Sequence, residues 1–153
     1  MFTITSFFGD LMFYLMHRGL HVNKWLYKKV HLTHHNIHAP HILSSMYMSV
    51  WEVAFVVVPS MYLPSFLFPN HFYSGLLFSG SFVWNAATIH AGLDVDPFGF
   101  IKSHDDHHLR VRGNYSMMGW DMVFGTKLSA PPTTIGKLFS AVTGLGRKAL
   151  KSA

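Results

Sequence analysis

Twelve of the 153 residues are histidine, and eight of them fall in three short clusters. His17 and His21 lie in HRGLH, His31, His34 and His35 in HLTHH, and His104, His107 and His108 in HDDHH. On a helix, positions i, i+3 and i+4 share one face, so each cluster aims two or three imidazoles at one point. Neutral imidazole is a ligand for iron, zinc and copper. At this chain's own histidine frequency a single HxxHH is expected only about 0.1 times by chance, so two of them plus an HxxxH indicate a metal site rather than a biased composition. The chain has no cysteine, which removes thiolate catalysis, Cys-bound zinc and iron–sulfur clusters. Met12, Met16, Met46 and Met48 read as adaptable packing rather than copper ligands.

The elements that must hold these groups are apolar. Half the residues are hydrophobic and 12% are charged, against about 25% in an ordinary soluble domain. The mean hydropathy is +0.24. Fourteen Phe, six Tyr and four Trp exclude a disordered chain. The length suits one domain. Residues 2–21 read as a helix, apolar except for Asp10 and its basic end. Residues 22–41 are polar and basic. Residues 42–63 are apolar apart from Glu52 and, at 1.5 Å per residue, span roughly 30 Å, one bilayer core; Pro59 is expected to kink them. Residues 64–71 read as a turn, and residues 72–93 as a second spanning length whose Gly75, Gly80 and Ser81 suit close helix contact. Residues 94–132 are polar again. The tail, 133–153, reads as a basic amphipathic helix or a disordered segment. No cleavable signal peptide is expected, because residues 1–16 lack a basic start and a small-residue cleavage site.

The net charge of +5 does not imply nucleic acid, since no Lys or Arg lies between Lys29 and Lys102. Basic residues that vanish across the apolar middle and return after it follow the positive-inside pattern. The expected fold is an all-α membrane helical bundle with a cytosolic histidine-rich helical cap. Two crossings return His90, near the end of the second span, to the side that holds the clusters. Nine histidines (His17, His21, His31, His34, His35, His90, His104, His107 and His108) thereby converge at one end, enough for two metals with four or five nitrogen ligands each. His38, His41 and His71 do not share the spacing and read as loop or interface residues, His71 on the far side. Asp10 lies two helical turns before His17, where its carboxylate either orients a liganding imidazole through the other ring N–H or pairs with something else. Glu52, ionisable inside an apolar stretch, draws a weaker suspicion of the same kind. Asp105 and Asp106 are supporting groups or merely solvated.

GDLMFYLMHRGLH, WLYKKVHLTHH, IHAG, HDDHHLRVRGNYS and WDMVFGT, in that order over residues 10–126, resemble the membrane fatty acid hydroxylase/sterol desaturase superfamily, closest to its sterol-modifying members. The resemblance implies that 1–132 form a histidine-box membrane oxidase domain. It implies that His17, His21, His31, His34, His35, His104, His107 and His108 ligate two Fe ions, with zinc as a possible substitute, and that His90 matches a family histidine on the last membrane helix. Asp10 matches a family aspartate that precedes the first box; Asp10, Asp105, Asn114 and Tyr115 are the expected supporting residues. Trp120, Asp121, Gly125 and Thr126 match a closing motif that pins the third box. Family members commonly carry further membrane helices before the first box, so the chain is expected to be N-terminally short or a fragment. Where the family often has a His-Pro pair before the residue that Glu52 resembles, this chain has Ser49 and Val50.

The function implied is that of a di-iron, O₂-dependent membrane monooxygenase of lipid biosynthesis. It would hydroxylate, or else desaturate, a membrane lipid, a sterol ahead of fatty acids and sphingolipids. Electrons would come from a separate donor of the cytochrome b5 or ferredoxin type. The expected location is the endoplasmic reticulum in a eukaryote, or the cytoplasmic membrane in a bacterium, with the histidines facing the cytosol. Two other readings remain open: a metal-binding or metal-transporting membrane protein, and an inactive relic that keeps a structural metal.

Overall fold

Helix α1 (Phe2–Val22) buries Gly9, Asp10, Tyr14, His17, Arg18 and His21 along one stripe and leaves Ile4, Phe7, Phe8 and Leu15 exposed. Its polar side chains face inward and its apolar ones outward, the reverse of a helix on a water-soluble protein. The computed structural model describes residues 2–68, 71–92, 100–128 and 142, and among them every regular element is helical. Helix α2 covers 24–35 as Lys24–Leu26, the π-turn Tyr27–His31 and Leu32–His35, with Asn23 capping its start by accepting from the Trp25 and Leu26 N–H groups. Helix α3 (Val50–Leu67) contains a second π-turn, Val53–Val57. Helices α4 (Phe72–Ile89), α5 (Phe100–Arg110) and the short α6 (Trp120–Val123) follow.

Among the described residues α3 is the one helix long and apolar enough to cross a bilayer. α3, which buries Glu52 and Ser60, shares this polarity in part, whereas α4 is apolar on both sides, burying Phe78, Phe82 and Ile89; Phe66 of α3 is 85% and Trp84 of α4 75% exposed. An apolar surface of that kind belongs against lipid rather than water. α1 packs against α3 and α4, and the three meet at Gly9. A Cβ there would lie 2.5 Å from the Phe78 ring of α4 and 3.0 Å from the Ser60 carbonyl of α3. Beside it sits the apolar core of Met61, Phe78, Phe82, Ile89 and Met117, with Phe13 packed against it.

Two expectations about the spans shift. The stretch expected to begin at 42 opens instead with a 3₁₀ turn, Ile42–Met46. Ser44 Oγ accepts from the His41 N–H and donates to the His41 carbonyl, which ties off the local backbone. The long helix starts at Val50, because the Ser49 hydroxyl accepts from the Glu52 N–H, and it runs past the expected turn to Leu67 with Pro64 inside it. Pro59 follows the π-turn directly, at the start of the segment Val58–Leu67. A wider turn is one way a helix absorbs the N–H that proline lacks. The tail 133–153, apart from Val142, and the boundary drawn at 132 lie outside the described residues.

Candidate metal centre

α1 and α4 both run toward one end of the bundle, where α2 and α5 cover them, and the nine histidines meet there in two groups. His17, His21, His31, His35 and His107 form one; His34, His90, His104 and His108 form the other. Within each, one nitrogen per residue lies within 4.8 Å of all the rest, and all nine side chains are buried. Helical geometry explains the division. Successive residues are about 100° apart, so i and i+4 differ by about 40°, while i+3 points about 60° to the other side of i. His31 and His35 therefore go to the first group and His34 to the second, whereas His104 and His108 go to the second group and His107 to the first. The groups abut, with the His35 and His108 ring centroids 4.7 Å apart.

Five of the nine rings are held through the nitrogen that points away from the centre, whereas the Nδ1 atoms of His21, His35 and His108 are buried with no hydrogen-bond partner among the described residues. His17 Nδ1 donates to the Tyr115 carbonyl at 2.8 Å, His31 Nδ1 to Glu52 Oε1 at 2.7 Å, and His107 Nδ1 to the Gly113 carbonyl at 2.7 Å. His90 Nδ1 donates to the Ala86 carbonyl at 2.6 Å and His34 Nδ1 to the Tyr47 carbonyl at 3.3 Å. A neutral imidazole that donates from Nδ1 has only a lone pair at Nε2. Yet the Nε2 atoms of His17 and His31 are 2.9 Å apart and those of His34 and His90 3.2 Å. Burial, and after it the neighbouring imidazoles, push His31, His34, His35, His104 and His107 well below the ordinary histidine range, and burial pushes His108 down to about 3. Protonation is therefore not what relieves the facing lone pairs. A cation between them would relieve them, and each group has the nitrogen donors to hold one.

The segment after α5 supports the first group. Asp121 accepts from the Tyr115 and Ser116 N–H groups and from the Ser116 and Thr126 hydroxyls. This fixes the Tyr115 carbonyl against His17 and sets the Tyr115 ring beside His17, His21 and His107. Asn114, in the left-handed region at φ +54°, donates to the Ser103 carbonyl and accepts from the Leu128 N–H. Arg18, fully buried, donates to Tyr14 Oη at 2.6 Å, and Tyr14 reaches Thr126 at 3.2 Å. The closing motif is thus a polar clasp around the third histidine cluster.

Asp10 does not touch a ring nitrogen. Its two oxygens accept from the Met117 and Met118 N–H groups at 2.9 and 3.1 Å, so it anchors the segment whose Tyr115 carbonyl holds His17. The carboxylate that does hold an imidazole is Glu52, whose sequence signals were an ionisable group in an apolar stretch and a likeness to a family residue. Asp105 sits half-buried on α5 between His104 and His107. His38 and His41 are exposed, and His71 is an exposed cap of α4 at the opposite end.

The family model for fatty acid hydroxylase matches residues 2–126. Among curated relatives, the methylsterol monooxygenase erg25A of Aspergillus fumigatus is 31% identical over 76% of this chain and 43% of its own length. Human cholesterol 25-hydroxylase is 29% identical over 79% of this chain and 48% of its own. The very-long-chain aldehyde decarbonylase GL1-11 of Oryza sativa subsp. indica is 32% identical over 76% and 48%. The chain spans about half the length of the curated relatives it matches. No solved structure matches it. With the match covering every histidine cluster and the closing motif, the chain belongs to the fatty acid hydroxylase family.

Proposed function

We propose that the two imidazole groups hold two iron ions and that the protein is an O₂-dependent oxidoreductase that hydroxylates a membrane lipid, a sterol before other classes. The observation that carries this reading is the pairing of Nε2 lone pairs at 2.9 and 3.2 Å, with their Nδ1 partners already fixed. Bound there, two irons would supply the reduction of O₂ that an unactivated C–H bond requires. The net reaction consumes the lipid, O₂, two electrons and two protons and yields an alcohol and water. The electrons come from an external donor of the cytochrome b5 or ferredoxin type. The chain's own part is to fix the imidazoles through Glu52 and the Tyr115, Gly113 and Ala86 carbonyls, and to keep water from nine side chains no more than 5% exposed. The centre faces the cytosol from an integral membrane position.

Two of the named relatives act on sterols by their names and one on very-long-chain aldehydes; this favours a sterol and supplies the competing substrate. Hydroxylation is placed ahead of desaturation, which shares the hydrogen-removing step. Protein purified without air should contain two irons per chain, and His34→Ala or His107→Ala should lower that content. Supplied with reductant, O₂ and labelled sterols, long-chain aldehydes or acyl lipids, it should oxidise the sterol. Oxidation of the aldehyde or acyl chain with sterols untouched overturns the substrate class. One metal or fewer per folded chain overturns the two-iron site, and no oxygen-dependent product from any lipid favours a relic with a structural metal.

A further inference from the structure

A cavity of about 560 Å³ lies between α1, α4 and the segment 117–123, walled by Phe2, Phe7, Phe78, Phe82, Met117 and Trp120. That volume is within the range of roughly 300–1,000 Å³ usual for small-molecule pockets. Its walls are apolar with few exceptions. Thr3 stands exposed at the outer end, Ser6 and Ser81 donate to carbonyls of their own helices, at 2.9 Å to Phe2 and 2.6 Å to Leu77, and each Asp10 oxygen accepts from a backbone N–H group. Asn85 differs. It lines the cavity, half-buried, and among the described residues its carboxamide has no hydrogen-bond partner. A polar group left open in an apolar, lipid-facing bundle points to a ligand that supplies its partner.

The position of Asn85 sets the orientation of that ligand. It stands five residues before His90 on α4, about 7.5 Å along the axis from the second histidine group. From the level of Asp10 the cavity runs back along α1 to Phe2, about 12 Å further from the centre. One ring separates it from the first group, since Phe13 lies 5.9 Å from Phe82 on the cavity side and 5.1 Å from His17 on the other. Resting on the lipid-oxidase reading above, we propose that this cavity takes a lipid head-first. Asn85 bonds a hydroxyl or carbonyl oxygen at one end of the molecule, the apolar body lies along α1 toward Phe2, and the oxidised carbon sits within a few bonds of the anchored oxygen. The histidine end is also where the helices leave the apolar layer, so a lipid in the membrane already points its polar end that way.

The test uses the iron-loaded full chain in detergent, with tritiated cholesterol as the probe and cholesterol, cholestane (which lacks the hydroxyl), octadecanol and octadecane as competitors. Cholesterol should bind about tenfold more tightly than cholestane, the worth of one hydrogen bond in an apolar pocket. Asn85→Leu should weaken cholesterol about tenfold, leave cholestane unchanged and leave the iron content at its starting value. Val123→Trp, which fills the cavity from its wall, should weaken both sterols; it tests the pocket independently if Asn85→Leu does not fold. A preference for octadecanol over octadecane that exceeds the sterol preference would keep the pocket and change its lipid class. Equal binding of cholesterol and cholestane, or a preference that survives Asn85→Leu, overturns the proposal, and oxygen inserted at the far tail overturns the head-first orientation. If the binding pattern holds and no product forms, the oxidase reading fails while the pocket stands. If product forms at the full rate in both variants, the pocket fails while the oxidase reading stands.

Discussion

Glu52 touches the histidine groups through a single atom, the Oε1 that accepts from His31 Nδ1 at 2.7 Å. A carboxylate in that position fixes the ring and raises the basicity of the facing nitrogen. Glu52→Leu should therefore weaken metal binding at the five-histidine group by about 10–100-fold, read as iron retained against chelators of graded strength. Glu52→Gln should lose less, because its carboxamide oxygen still accepts from the ring N–H. Retention unchanged in both variants would show that His31 is oriented by packing alone. This pairing was only half legible in the sequence. Asp10 and Glu52 both stood out as ionisable groups in apolar stretches, and spacing favoured Asp10 because it lies seven residues before His17. Seven residues are two turns, about 10.5 Å, too far for an aspartate to bridge, and the Tyr115 carbonyl already occupies the His17 Nδ1–H. Nothing in the sequence brings position 52 to position 31; the fold does so by pairing the start of α3 with the π-turn of α2.

Elements are where the sequence was most and least informative. The i, i+3, i+4 histidine pattern predicted convergence, because a helix fixes side-chain direction from spacing alone. It did not predict which histidines of different helices join in one group, which depends on how α2 and α5 are rotated against each other. Nor did hydropathy place the start of α3, since Leu43 and Met46 are as apolar as the residues after them; Ser44 and Ser49 decide the matter through backbone bonds. Helix contact is legible at Gly9 only with the partner helices in view. Gly9→Ala puts a methyl 2.5 Å from the Phe78 ring and 3.0 Å from the Ser60 carbonyl. The ring can swing, the backbone cannot, and overpacking of this kind costs about 1–3 kcal/mol. Gly19, on the same helix, has nothing within 4 Å of its would-be Cβ, so Gly19→Ala should gain up to about 1 kcal/mol of helix propensity. Thermal unfolding of the two variants in one detergent should move in opposite directions. A Gly9→Ala variant as stable as the parent would mean that α1 is not clamped between α3 and α4.

For the molecule as a whole, the question is which way the bundle sits in its membrane. α1 and α4 run toward the histidines and α3 runs away from them, so the start of α4 lies at the opposite end. The exposed cations Lys28, Lys29, Arg110 and Arg112 gather at the histidine end, and no Lys or Arg occurs between residues 29 and 102. A basic end and an uncharged end separated by an apolar belt are the charge asymmetry that orients membrane proteins with the basic side in the cytosol. Because the chain has no native cysteine, single substitutions report position without background. His71 is exposed at the start of α4, and the Arg110 side chain is 53% exposed on α5 and, among the described residues, is bound only by a 3.8 Å surface pair to Asp106, whose loss should cost about 1 kcal/mol at most. His71→Cys and Arg110→Cys should therefore fold and should label from opposite sides of sealed vesicles with a membrane-impermeant maleimide, Arg110→Cys from the cytosolic face. Labelling of both from one side would mean that α3 does not cross. The exposed apolar surface of α1, α3 and α4 would then have to be buried by a partner rather than by lipid.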